Sequence, residues 1–378
     1  MKRTRRQFIR AGLVGSAVAA SGTLTGLSAA DTTDTTEPKF RNPLRILMLG
    51  GTGYIGPHMV SEFLRRGHQV SLFNRGRTNE GLFPDLETLI GDRDGGLDVL
   101  KGRQWDAVVD NSGYVPRHVA DSARLLSPAV SHYVYISTIS VYATFAKPSD
   151  ENSPLGTIPD ETVEEVTGET YGPLKALCEA RARAEMGDDR LTVLRPTYIC
   201  GPGDRTDRFS YWPVRTMKGG EMLWPGTPQD PIQIIDVRDL ANFTVDCIEK
   251  KVTGIYNTVT PVGSYSIGDL MNDSVAVTGA DMTPVWVSGE FLVGSELSEG
   301  RSIPIWSSPD GTEAGAARVN GQRAFAAGLE TRAPRETCRD IVRWWKTLPA
   351  DRQASMRAGL TAESEAKLLA SFRRAAAG

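Results

Sequence analysis

The sequence predicts an α/β protein built on a doubly wound parallel sheet, with a smaller C-terminal lobe laid over it. Three observations predict this. Short Val/Ile/Leu runs alternate with helical segments as far as Pro202; the first of those runs passes directly into a glycine-rich turn and a helix; and after Pro202 the alternation gives way to stretches rich in Trp, Pro and Gly. Continuous apolar strands separated by helices belong to a parallel sheet covered on both faces. With 378 residues, 40% of them hydrophobic, the chain can bury one large α/β domain or a nucleotide-binding domain carrying a lobe.

The elements expected in order are a strand Leu44–Leu49, a helix Ile55–Arg65, strands Gln69–Phe73, Thr88–Ile90 and Ala107–Asp110, a helix Arg117–Leu126, a strand His132–Ile136, a helix Tyr171–Glu185 and a strand Leu191–Leu194. The core is expected over residues 43–202. Residues 203–349 read as the substrate lobe, interleaved with returns to the sheet near Ile232–Val237 and Gly254–Val259, and 350–378 as a charged, helix-prone extension packed outside the body.

Ahead of the core, residues 1–30 carry Thr4-Arg5-Arg6-Gln7-Phe8-Ile9, a weakly apolar stretch relieved by Gly and Ser, and Leu27-Ser28-Ala29-Ala30. That pattern looks like a twin-arginine export signal with an A-x-A-like cleavage region. The apolar part falls short of the roughly 20 residues of a spanning helix, so removal is expected, with no membrane anchor. Residues 31–42 read as a flexible Thr- and Asp-rich leader. The formal charge is -3; without the five basic residues of the first thirty, 38 Lys+Arg face 46 Asp+Glu, or -8. An acidic body disfavours nucleic acid as a partner. Cys178, Cys200, Cys247 and Cys338 are scattered, and His58, His68, His118 and His132 lack metal-ligand spacing, so no metal site or disulfide framework is expected.

The turn Gly50-Gly51-Thr52-Gly53-Tyr54-Ile55-Gly56 lies between the first strand and its helix. Glycines at 50, 53 and 56 permit the tight turn, close approach to a pyrophosphate, and packing of helix on strand. Gly50, Thr52, Gly53, Tyr54, Ile55 and Gly56 are therefore candidate cofactor-binding residues. The second strand ends at Asn74-Arg75-Gly76-Arg77, where an acid would favour the ribose hydroxyl of NAD; Asn74 with Arg75 and Arg77 favours the 2′-phosphate of NADP, NAD remaining the alternative. Asp92 and Arg93 follow the third strand, where an adenine would lie.

Ser137-Thr138 follows the strand His132–Ile136, and Tyr171-Gly172-Pro173-Leu174-Lys175 opens a helix whose four-residue spacing places phenol and ammonium on one face. Tyr171 is the candidate proton carrier. Lys175 is expected to favour its phenolate and to hold the cofactor ribose, and Thr138 to hydrogen-bond the substrate oxygen.

Residues from about Leu44 to about Trp345 resemble the extended short-chain dehydrogenase/reductase family, which includes nucleotide-sugar epimerases and dehydratases. The likeness rests on the glycine turn, Ser137-Thr138-x-x-Val141-Tyr142, Tyr171 with Lys175, Arg195-Pro196 before Gly201-Pro202, Ile235 to Ala241, and Gly254-Ile255-Tyr256-Asn257. It implies a Rossmann fold, catalytic roles for Thr138, Tyr171 and Lys175, a place for Tyr198 beside nicotinamide and substrate, and hydride exchange with a secondary alcohol or ketone of a sugar-like or other polyhydroxylated small molecule. Within the family the chain is similar to bacterial reductase-like proteins, some of which resemble 2′-hydroxyisoflavone reductases or chloroplast stem-loop RNA-binding proteins. Reduction of an aromatic or isoflavone-like ketone, or a non-catalytic cofactor-loaded or RNA-binding role, are the alternatives. Nucleotide-sugar epimerases carry an arginine where this chain has Pro231-Ile232-Gln233, a departure that weakens the nucleotide-sugar reading. Tyr114, Tyr211, Trp212 and Trp224 are candidate stacking surfaces. The expected partners are the small-molecule substrate, the twin-arginine export machinery and a second copy in a homodimer.

Overall fold

The computed structural model describes residues 42–295 and 303–377; the expected export signal and nearly all of the expected leader lie outside the described residues. Seven parallel strands form the central sheet: β1 (Arg45–Leu49), β2 (Gln69–Asn74), β3 (Glu87–Ile90), β4 (Ala107–Asp110), β5 (His132–Ile136), β6 (Leu191–Pro196) and β7 (Gly254–Thr258), in the order β7-β6-β5-β4-β1-β2-β3. The order reverses between β1 and β4. That reversal opens a crevice at their carboxyl ends, where doubly wound sheets bind ligands.

Strand β1 reads as an unbroken apolar run because both of its faces are covered. Ile46 and Met48 pack with Met59, Val60 and Phe63 of the helix Ile55–Arg65 and with Leu240 and Phe243 of the helix Val237–Glu249. Leu47 and Leu49 point the other way, onto Val119 and Ala123 of the helix Pro116–Leu126 and Cys178 and Ala182 of the helix Tyr171–Met186. Each such side chain contributes about 1.5–3 kcal/mol on burial, so the strand that carries the glycine turn is held rigidly. All four cysteines are free and buried, as small apolar residues of the interior.

The return expected at Ile232–Val237 does not reach the central sheet. Ile234–Asp236 pairs in parallel with Tyr198–Cys200 in a separate two-stranded sheet, whereas Gly254–Thr258 joins the central sheet beside β6. A run of three apolar residues has no period to indicate its partner. A second cluster of buried residues gathers around the parallel pair Gly220–Pro225 and Met282–Val287. The C-terminal helix Ala362–Ala377 docks there through Glu365, 3% exposed, which accepts from Leu223 N (2.9 Å) and from Arg215 Nε (2.7 Å).

Candidate active site

The glycine turn follows β1 into a helix whose N-cap, Tyr54, supplies no side-chain cap. The first-turn N–H groups therefore lack the partner that a Ser or Asp cap would give. Gly50 has φ +89°, and a Cβ at Gly56 would lie 2.6 Å from the carbonyl carbon of Gly51, so these two positions exclude larger residues by backbone geometry. At Gly53 a Cβ would meet no protein atom within 4 Å. The protein itself does not require glycine there, but a diphosphate lying against the turn would. The crevice thus fits a dinucleotide.

Thr138 caps the single turn Ile139–Val141, its Oγ1 accepting from Ser140 N at 3.1 Å. The helix carrying Tyr171 abuts this turn because Gly172 has no side chain: a Cβ there would come 2.1 Å from Ser140 O. That contact brings Thr138 and Tyr171 to one cleft, which Asn111, Tyr114, Tyr198 and Arg208 also line. Burial, then the neighbouring Tyr114, raises the Tyr171 phenol well above its ordinary value, while the Thr138 hydroxyl and the Arg208 charge act in the opposite sense.

Lys175 is 3% exposed, and its Nζ donates to Gly113 O and Ile136 O, both at 2.7 Å, above the Tyr135 ring at 4.2 Å. Burial lowers its pKa to about 8. Two carbonyls, Gly113 O beyond the end of β4 and Ile136 O at the last residue of β5, anchor the ammonium in the crevice.

Behind the cleft, the motif residues form one buried network. Ser137 Oγ donates to Glu179 Oε1 (2.5 Å), Glu179 takes two hydrogen bonds from Arg195, Arg195 reaches Tyr142 Oη (3.3 Å), and Tyr142 donates to Asn257 Oδ1 (2.6 Å). Paired buried charges of this kind fix geometry, and removal of one partner leaves the other uncompensated. The Ser137 hydroxyl is committed to Glu179, while Thr138 lines the cleft together with Ser140 and Thr197.

Other expected residues fall elsewhere. Arg75 and Arg77 are exposed beyond β2 and make no ion pair among the described residues, while Asn74 Oδ1 accepts from Gly76 N (2.8 Å) and shapes the turn between them. Arg93 is removed from the adenine-contacting set: it is 8% exposed, doubly bonded to Asp110 (2.5 and 2.7 Å) and bonded to Ser122 Oγ, because a fully buried Asp110 needs a counter-charge. Asp92 stays in a half-exposed turn, accepting from Asp94 N. Tyr211, Trp212 and Trp224 are at most 2% exposed, with Trp212 stacked on Trp224 at 4.5 Å, and so pack the interior; Tyr114 alone of the four reaches the cleft. His58, His68 and His132 are engaged with Pro202 O, Glu249 and Thr192. Three contributors went unmarked in the sequence: Arg208; Glu179, whose helix spacing to Lys175 was the one available signal; and Asn111, which donates to Gly50 O at 2.6 Å.

Fold and site together define an NAD(P)-binding α/β oxidoreductase. The model of the NAD dependent epimerase/dehydratase family matches residues 46–263, and the chain belongs to that family. It is 26% identical over 238 residues to the epimerase family protein SDR39U1 of Bos taurus, spanning 58% of this chain and 76% of that protein. It is also 26% identical over 234 residues to the chloroplast stem-loop binding protein of 41 kDa b from Arabidopsis thaliana, of whose length it spans 58%. The solved structure of human SDR39U1 (isoform2) with NADPH superposes with a TM-score of 0.54 at 20% identity, covering 79% of this chain and 99% of that one.

Proposed function

We propose that the protein is an NADP-dependent oxidoreductase or epimerase that moves hydride to or from a secondary alcohol or ketone of a sugar-like or other polyhydroxylated substrate. The observation that carries this reading is the convergence of Thr138, Tyr171 and buried Lys175 at the crevice beside the glycine turn. The bound nicotinamide supplies or accepts the hydride. Thr138 orients the substrate oxygen, and Tyr171, its phenol held protonated at neutral pH by burial, gives that oxygen its proton during reduction. Lys175, with two of its three N–H groups given to carbonyls, has the third for the cofactor ribose. Exposed Arg75 and Arg77 support NADP over NAD, since a 2′-phosphate gives them a partner.

Export by the twin-arginine route belongs to the same proposal. Outside the cytoplasm no soluble nicotinamide pool regenerates a released cofactor, so the enzyme runs a closed cycle: either hydride returns to the same molecule, as in epimerisation, or it passes to a second substrate. Both need a cofactor that leaves far more slowly than turnover, loaded before translocation. Turnover against panels of sugars, polyols and their ketones, compared between wild type and Tyr171→Phe, tests the chemistry. The variant is expected to lose turnover while binding NADPH within a few-fold of wild type; equal turnover would remove Tyr171 from the mechanism.

A further inference from the structure

Among the described residues that line the cleft, the positive charges are Lys175 and Arg208, and no carboxylate joins them. Lys175 is occupied by carbonyls at the cofactor side. Arg208 is not so occupied. Its guanidinium lies over the Tyr198 ring at 5.1 Å and donates through Nε to Thr206 Oγ1 at 3.0 Å, and it makes no ion pair among the described residues. Asp204, whose carboxylate feels the Arg208 charge, is 1% exposed and accepts through Oδ1 from the N–H and hydroxyl of Thr206.

The backbone holds Arg208 in this attitude. The preceding Asp207 has φ +59°, a left-handed conformation uncommon outside glycine. Its carboxylate is fully buried and takes hydrogen bonds from Arg352 Nη2 (2.5 Å) and Arg357 N (2.8 Å), while Arg357 Nη1 donates to Arg205 O (3.0 Å). The segment that follows the main body thus fastens the loop from behind, and the side chain after Asp207 turns into the cleft. At Gln233, in the stretch where sugar-nucleotide epimerases carry an arginine, the side chain is spent on Thr260 O, Val319 O and Val319 N. Anion recognition has no donor there.

We infer that Arg208 is the anion receptor of the substrate site, so that the substrate carries a carboxylate or phosphate group beside the hydroxyl that exchanges hydride. The inference rests on the polyhydroxylated-substrate reading above. A guanidinium stacked on an aromatic ring presents its remaining N–H groups in one plane, which suits either oxyanion. Lining the same cleft as Tyr171, it seats the anion within reach of the reacting carbon.

The test is equilibrium binding by calorimetry to the full chain loaded with NADPH, in a Tyr171→Phe background so that no turnover intervenes. Three probes are compared: D-glucuronate, D-glucose 6-phosphate and neutral D-glucose. At least one anion is expected to bind about ten-fold or more tightly than glucose, the two anionic arms distinguishing carboxylate from phosphate. Arg208→Met should weaken that anion by about ten- to hundred-fold, the range of a charge-assisted hydrogen bond, and leave glucose and NADPH within about two-fold. Arg208→Lys should recover part of the loss. Arg352→Met, which loosens the loop without entering the cleft, should weaken the anion several-fold. A protein with no preference for either anion over glucose overturns the inference. So does an Arg208→Met variant that loses NADPH as strongly as the anion, since the guanidinium would then serve the cofactor. Selective anion binding by a protein that turns over none of the panel would sustain the receptor and count against the hydride-transfer reading alone.

Discussion

Replacing Lys175 by Met changes stability in a pH-dependent way whose size follows from its burial. The folded protein releases the Lys175 proton at about 8, against an ordinary 10.5, because the ammonium is almost wholly removed from water. Between those values the unfolded chain binds more protons than the folded one, so this group makes unfolding progressively harder as pH rises from about 8 to 10.5. The drop corresponds to about 3 kcal/mol. Lys175→Met lacks this contribution and leaves the carbonyls of Gly113 and Ile136 without their donor, at about 1–3 kcal/mol each. Urea unfolding followed by tryptophan fluorescence, run on both proteins across that window, should show wild type gaining about 3 kcal/mol relative to the variant, with the variant the less stable at the alkaline end. Stability curves that stay parallel from about pH 8 to 10.5 would refute the buried, carbonyl-anchored ammonium.

Arg75→Ala with Arg77→Ala should cost NADP affinity about 1.5–3 kcal/mol per arginine and leave NAD nearly unchanged; equal losses in fluorescence titrations with the two cofactors would reduce both residues to surface charge. His132, 4% exposed and bonded to Thr192, is drawn by burial down to about 4. Its unfolded form takes a proton near 6.5, so the fold loses up to about 3 kcal/mol as pH falls from about 6.5 to 4. Acid unfolding of His132→Gln should be flatter over that interval, and an unchanged profile would assign the acid sensitivity elsewhere.

The central sheet was readable because its strands are covered on both faces and carry little besides Val, Ile and Leu; Ile46 and Leu47 are adjacent in sequence yet feed opposite layers. The glycine turn was readable because backbone geometry restricts Gly50 and Gly56, and the Tyr171–Lys175 spacing because helical period puts both on one face. What escaped depends on long-range pairing. Arg93 looked free until Asp110, seventeen residues on, claimed it. Arg208 was one of 43 basic residues with no motif around it, and its direction is set by a contact between Asp207 and Arg352, 145 positions apart. Tryptophans 212 and 224 carry the same local signal whether they line a cleft or fill an interior.

The most direct test of the central claim, an NADP-dependent site built on the glycine turn with Tyr171 and Lys175, is to purify the full chain, denature it and identify any nucleotide released by mass spectrometry, with its stoichiometry. Near-stoichiometric NADP or NADPH that survives gel filtration is the predicted result. Protein that releases no nucleotide, and that binds neither NADPH nor NADH when titrated, would contradict it.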